Sequence, residues 1–288
     1  MPYLLHILTL FSIYLPVVAG FNLNLGFRGI SNFAITAFFG LGSYIALICL
    51  IANLSLFETF GAVGLSVVIL AVLVCKMSFK LNSDNLALCL FTLLLVIQNI
   101  VINWKSLTGG SFGLSIFSVD QKTQELRWFL QNISWLSMFY SLCVLLVCIT
   151  ISKSKIALTW RSSRDNLKLS ESLGQNQEAW RILNITLSAI VSAFAGVFYA
   201  VYVGYVDPSL FGLNLLVLVM SMAVLGGLES LKGTVFGVFI LIVLPEILRF
   251  LPITSSEIAP LRNILYGLLL LACLIYKPYG IFGKFKIE

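Results

Sequence analysis

The sequence predicts an all-α fold, a polytopic membrane bundle of about nine transmembrane helices, and three observations carry that expectation. Hydrophobic residues make up 59% of the 288 positions, charged residues 10%, and the mean hydropathy is +1.01. A water-soluble domain carries roughly 25% charged residues, so the solvent of this chain is lipid. Second, apolar runs recur at close to the length that a helix rising 1.5 Å per residue needs to cross the hydrocarbon core, roughly 20 residues. Third, the sequence lacks the alternating ten-residue segments of a membrane β-barrel, which leaves helices as the spanning structure.

The runs lie near residues 4–21, 33–53, 59–75, 85–103, 132–151, 182–204, 214–228, 234–251 and 261–277. No Lys or Arg precedes Arg28 and no small-residue cleavage site follows the first run, so it reads as a retained helix, not a signal peptide. Gly26 and Gly29 precede the second run, with Ser31 and Asn32 at its threshold, and Gln98 and Asn99 interrupt the fourth. Polar groups at membrane depth need partners, so these four polar residues read either as interhelical hydrogen bonds or as contacts to a solute in a candidate translocation pathway. In the 182–204 run Ser188, Ser192, Gly196 and Ala200 recur every four residues, which sets small side chains on one face and lets a neighbouring helix approach closely. The 214–228 run is short and ends in Gly226 and Gly227. Such glycine breaks are either surface turns or places where the unpaired N–H groups of a half-helix meet a carboxylate. Glu229 and Glu246 lie near helix ends and read as interfacial.

Between residues 152 and 181 the chain turns polar, reading SKSKIALTWRSSRDNLKLSESLGQNQEAWR, and holds six of the eighteen Lys and Arg residues: Lys153, Lys155, Arg161, Arg164, Lys168 and Arg181. The positive-inside rule puts this segment in the cytoplasm, with the loop at Lys76 and Lys80 and the tail with Lys277, Lys284 and Lys286. Nine crossings satisfy all three, leaving the N-terminus and the mixed-charge 104–131 loop outside. Residues 1–288 then form one transmembrane domain with a cytoplasmic docking loop at 152–181 and an external loop at 104–131.

Several function classes fall away. The net charge of +6 reports topology, because nucleic-acid binding needs a basic face on a soluble domain. The six cysteines, Cys49, Cys75, Cys89, Cys143, Cys148 and Cys273, all lie in apolar runs without CxxC spacing and read as packing residues. One histidine, His6, and no HExxH motif give a metal site almost nothing to draw on. Gly109 to Gly113 spell GxSxG, but a nucleophile elbow needs a strand-to-helix turn and an adjacent base, and neither is predicted. Gly283 and Lys284 lack the upstream glycine and following Ser or Thr of a phosphate loop, so the chain is expected to bind no cofactor itself.

What remains is transport. The stretch WRSSRDNLKLSESLGQNQEAWR with the helix after it resembles the cytoplasmic loop of the permease subunits of branched-chain amino acid ABC transporters. That loop carries an Arg-x-x-Arg-acidic-Asn core and a later Gly, matched by Arg161, Arg164, Asp165, Asn166, Glu171 and Gly174. Four further stretches resemble the same family. The first holds Gly26, Gly29, Ser31, Phe38, Phe39, Gly40, Gly42 and Tyr44, and an external signature holds Thr108, Gly109, Gly110, Gly113 and Leu114. A late glycine motif holds Gly226, Gly227, Ser230 and Gly233, and LPEILR at 244–249 with KPYGIFG at 277–283 completes the order. Ile30, Asn32, Ala34 and Ile35 depart from the family's usual polar choices, Glu229 stands where a glycine is usual, and Leu167, Leu169 and Ser170 replace acidic or alanine residues.

The resemblance implies an ABC-importer permease in a bacterial inner membrane, multi-pass with a cytoplasmic C-terminus. It also implies four kinds of partner contact: a second homologous permease, two cytoplasmic ATPases that bind the ATP, an external substrate-binding protein, and the bilayer. The 152–181 loop would be the element that couples ATPase closure to the bundle. The rival reading is an ion-gradient-driven secondary transporter of a small polar solute, which calls for an ionisable residue in mid-helix. The central thirds of the apolar runs carry none.

Overall fold

The computed structural model describes residues 2–78, 81–116, 124–209, 211–248, 255–277 and 279–283. In chain order these form α1 (Pro2–Asn22), a π-helical turn (Leu23–Phe27), α2 (Ile35–Ile51), α3 (Leu56–Met77), α4 (Ser83–Asn103), α5 (Lys105–Thr108), a 3-10 turn (Gly110–Phe112) and β1 (Leu114–Ser115). They continue with α6 (Gln124–Lys153), α7 (Lys155–Asp165), α8 (Leu167–Ser172), α9 (Gln177–Val203), β2 (Tyr205–Val206), α10 (Leu213–Gly226), α11 (Leu231–Leu248) and α12 (Ser255–Tyr276). The chain is an all-α membrane protein. Each apolar run read from the sequence overlaps one of these helices, residues 249–251 of the run at 234–251 lying outside the described residues. Five stretches have the length and hydropathy of a full crossing: Tyr3–Phe27, Leu56–Met77, Ser83–Asn103, Arg127–Lys153 and Gln177–Val203. The apolar parts Ile35–Ile51, Leu213–Gly226, Leu231–Pro245 and Ile264–Cys273 are shorter.

The bundle is built around α1, α2 and α9. The helix α1 lies against α6, α9, α10 and α11, and α2 against α3, α4 and α9. Ile13, Val17, Val18 and Phe21 of α1 meet Ile35, Phe39 and Ala195 in the main core, while Val63, Val67, Leu86 and Ile185 build a second cluster around α3 and α4. Exposed Leu65, Ile69 and Leu73 on α3, and Trp135, Phe139 and Leu142 on α6, form an apolar outer face that suits lipid.

Small residues let α2 and α9 meet backbone to backbone. A Cβ on Gly42 would stand 2.1 Å from the Ala193 carbonyl oxygen, and one on Gly196 would stand 2.1 Å from the Phe39 carbonyl oxygen. The freed surface carries hydrogen bonds: Ser192 donates to the Ile35 carbonyl at 2.8 Å, and Ser43 to the Gly196 carbonyl at 2.9 Å. Ser188 and the fully buried Ala200 sit on the same buried side of α9.

Two local features shape the connections. The 152–181 segment is mostly helical: α6 runs on to Lys153, and capping by Ser154, Asn166 and Asn176 starts three new helices within it. A two-residue antiparallel pair, β1 with β2, ties the 104–116 segment to the end of α9, where Gly204 at φ 74° stops the helix. Asp120 and Lys122, with Lys80, Arg249, Pro278, Lys284 and Lys286, lie outside the described residues, as do the side chains of Glu125 and Glu246.

Candidate functional site

The end of α1 is where the site begins. Its last turn widens into the π-helix Leu23–Phe27, which shifts the hydrogen-bond register and leaves carbonyls available to side chains. Asn184 of α9 takes one of them, donating to the Leu23 carbonyl at 3.1 Å, and Arg164 of α7 takes another, donating to the Gly26 carbonyl. The fully buried Asn22 works on the other side. Its Oδ1 accepts from the Glu229 backbone N–H at 2.9 Å and its amide donates to Thr234 Oγ1 at 2.7 Å. A Cβ on Gly26 would reach within 2.2 Å of Asn22 Oδ1, so this junction admits only glycine there.

The helix α7 is clamped onto that junction. Ser154 caps its start by accepting from the Ile156 N–H at 3.2 Å, and Trp160, fully buried, packs with Ala19, Leu23, Phe27 and Val144. The next residue, Arg161, places its guanidinium 5.0 Å above the Phe27 ring. Its Nε stands 2.7 Å from Glu229 Oε1, an ion pair whose angle is not that of a hydrogen bond. Arg164 Nη1 reaches Glu229 Oε2 at 3.1 Å, and Arg164 Nε reaches Asp165 Oδ1 at 3.2 Å. Glu229 therefore sits between two arginines of α7, its side chain 11% exposed. It does so from a left-handed backbone, φ 64°, a conformation in which glycine is the usual occupant. Beside it opens a cavity of about 850 Å³, lined among others by Lys153, Arg161, Lys232 and Phe282.

The helix α8 projects from this anchor. Asn166 caps it by accepting from the Leu169 N–H at 3.0 Å, and Gly174, at φ 80° with nothing within 4 Å of a Cβ position, turns the chain toward α9. Ser170 faces inward and accepts from Gln177 Nε2 at 2.7 Å. Gln177 in turn accepts Arg28 Nη2 on its backbone carbonyl at 3.0 Å and its side-chain oxygen at 3.2 Å. Leu169 and Leu173 are 59% and 73% exposed, and Leu167, Lys168 and Glu171 also face out. This end of the molecule thus presents a short helix with exposed leucines and charges on an arginine- and glutamate-lined anchor.

The remaining predicted residues lie deeper in the bundle or at other surfaces. Asn32, buried, donates to Ser188 Oγ at 3.3 Å, which also takes Asn24 Nδ2 at 2.7 Å, while Ser31 is half-buried beside it. Gln98 donates to the Pro208 carbonyl at 3.0 Å, and Asn99 is exposed and donates to the Leu95 carbonyl on its own helix. Gly226 backs onto Gly233, and Gly227, at φ 105°, lies against Tyr279 and Gly283. Ile281 and Phe282 donate to the carbonyls of Leu225 and Gly226, so the KPYGIFG segment covers the late glycine motif. Ser111 sits in the 3-10 turn Gly110–Phe112, and His6 pairs with the Tyr202 hydroxyl at 2.6 Å.

Segments far apart in the chain, 22–29, 161–164, 226–234 and 279–283, therefore meet at one end of the bundle, in the order the sequence signatures stand. The model of the family described as branched-chain amino acid transport system / permease component matches residues 3–274. The chain belongs to this family. Relatives of the permease include the high-affinity branched-chain amino acid transport system permease protein LivH of Escherichia coli (strain K12), 24% identical over 97% of this chain and 94% of its own. LivM of the same strain is 23% identical over 96% of this chain and 69% of its own. The Pseudomonas aeruginosa permease protein BraD is 23% identical over 98% and 95%. No solved structure matches this permease. As a member of this family it is a transport component and not an enzyme. Its near-equal identity to LivH and LivM shows no preference between the two partners of that system.

The sequence pointed to Arg161 and Arg164 but not to their acceptor. In the sequence Glu229 reads as an interfacial residue and as a departure from the family's glycine, and its sharing by two cations is not foreseeable, since Arg164 lies 65 positions away in the chain. Asn22, Arg28 and Gln177 carried no signal beyond being polar residues beside apolar runs.

Proposed function

We propose that the chain is one membrane subunit of an ATP-driven importer of a branched-chain or related amino acid. It pairs with a second homologous permease, two cytoplasmic ATPases that bind the ATP, and an external protein that delivers the substrate. The observation that carries this reading is α7–α8. Trp160, Arg161 and Arg164 fasten it to α1 and to the α10–α11 turn, while Leu167, Leu169 and Leu173 are exposed among the described residues. A helix held in this way can transmit a partner's movement as a lever.

In this reading all nine apolar helices lie in the membrane, the N-terminus and 104–131 segment are outside, and α7–α8 and the C-terminus are in the cytoplasm of a bacterial cell. The 14 residues of α10 rise only about 21 Å, short of the roughly 30 Å hydrocarbon core. Its two glycine-bounded ends then lie at membrane depth, a situation tolerated where protein or a solute pathway covers the backbone. Asn32 and Gln98 are candidates for lining that pathway, and exposed Asn99 for contact with the second permease.

The test is uptake of labelled leucine by cells carrying the whole transporter. ATP depletion is expected to stop uptake and a protonophore at fixed ATP is not; the reverse result would identify a gradient-driven carrier. Replacing Arg164 and Gly174 together with alanine is expected to abolish uptake while the protein remains in the membrane fraction, and normal uptake would remove the coupling role.

A further inference from the structure

On the opposite flank of α7 from Glu229, Arg164 borders a second, smaller cavity of about 130 Å³, lined with it by Arg28, Gly29, Ser83, Ser163 and Arg181. That space holds several waters or one polyatomic anion. Arg28 is only 4% exposed. Its Nη2 is committed to Gln177, but its Nη1 has no hydrogen-bond partner. Such an atom is costly to bury unsatisfied. Arg181, 8% exposed, donates to the Ser78 carbonyl at 3.0 Å from the far wall. Among the described residues, no carboxylate lines the cavity.

The start of α4 faces the same space through Ser83. Asn82 is its N-cap residue, but the Asn82 side chain makes no capping hydrogen bond to the first turn of this 21-residue helix. An uncapped N-terminus attracts negative charge. The nearby Asp84 carboxylate is exposed and is not part of the lining. Burial, with Arg181 close by, lowers the Arg28 pKa to about 10, which leaves the guanidinium charged at neutral pH. The buried guanidinium of Arg28, the Arg181 side chain and the α4 N-terminus thus border one small space, with Arg164 on its rim.

We propose that this cavity is an oxyanion site that takes a phosphate group, either free or as the phosphomonoester headgroup of a membrane lipid. Arg28 Nη1 supplies the donor now without a partner, Arg181 supplies further positive charge and the α4 N-terminus closes another side, while the Arg164 charge is held by Glu229 and Asp165. A bound phosphate would tie the 28–34 loop, α4, α7 and α9 together beside the hinge of α8. The inference rests on the cavity alone and stands or falls separately from the transport reading, because its test reads binding by the permease without its partners.

The test uses the full-length chain in neutral detergent. Inorganic phosphate is titrated against sodium chloride at matched ionic strength while the thermal unfolding midpoint is followed. In parallel, the midpoint is compared in nanodiscs of phosphatidylcholine with and without phosphatidic acid. A saturable, phosphate-specific rise in detergent identifies a free oxyanion as sufficient; a rise only with phosphatidic acid assigns the site to the headgroup. In either arm Arg28→Gln is expected to weaken the half-saturating concentration at least about tenfold, the effect of losing one charge-assisted hydrogen bond. Ser83→Asp, at an exposed first-turn position that accepts an acid, should fold with a near-normal midpoint and lose the response in the same way. Indistinguishable phosphate and chloride titrations together with no effect of phosphatidic acid would overturn the proposal, as would an undiminished response in both variants.

Discussion

Glu229 is the residue on which the junction of α1, α7 and the α10–α11 turn depends, and two opposing terms act on it. Its left-handed backbone costs about 1–2 kcal/mol relative to glycine, while its carboxylate, 11% exposed, neutralises Arg161 and Arg164. Removing one partner of such a buried cluster costs about 3–5 kcal/mol. Glu229→Ala loses the carboxylate and keeps the strain, so it is expected to lower unfolding stability by about 3 kcal/mol or more. Glu229→Gly loses the carboxylate but relieves the backbone, and should be milder than alanine by about 1 kcal/mol or more. Chemical denaturation of the three proteins in detergent checks the order; an alanine variant as stable as the glycine variant would show that the backbone term is absent. At this scale the sequence was readable only on one side of each contact. Arg161 and Arg164 stand in a motif, whereas Glu229, Asn22 and Arg28 acquire their meaning from partners brought in by folding.

The helices were far more legible. An apolar run of membrane length leaves its backbone no alternative to helix, so α1 to α4, α9 and α10 fall within a few residues of where hydropathy puts them. The small-residue spacing of α9 also predicted a close approach, though not its partner, which is α2. Gly196→Ala should therefore disrupt the bundle, because the new methyl would meet the Phe39 carbonyl oxygen at 2.1 Å. Gly64→Ala on α3, where the nearest atom is Phe194 Cζ at 3.5 Å, should leave the thermal midpoint almost unchanged. Equal loss of folded protein in both would contradict the packing of α2 on α9. What hydropathy does not encode is the division of the polar segment at Asn166, which depends on capping, or the π-helical turn after α1, which depends on long-range acceptance of side chains from α7 and α9.

At the scale of the whole molecule, the family signatures assemble into two ends. Gly26, Arg164, Glu229 and Gly227 meet at one, and Thr108, Gly113 and the β1–β2 pair stand at the other. In the proposed topology the first of these faces the cytoplasm. In the proposed importer, Leu167 and Leu169 of α8 and Leu173 just after it then become part of the surface on which an ATPase would act. The most direct measurement is photocrosslinking from a benzophenone side chain placed at Leu173, in membranes that contain the assembled transporter. The expected result is an adduct with the ATPase subunit whose yield changes when ATP is added, and no such adduct from the same group at exposed Leu5 near the other end of α1. An active transporter that gives no ATPase adduct from Leu173, or one equally strong from Leu5, would contradict the coupling role of α7–α8.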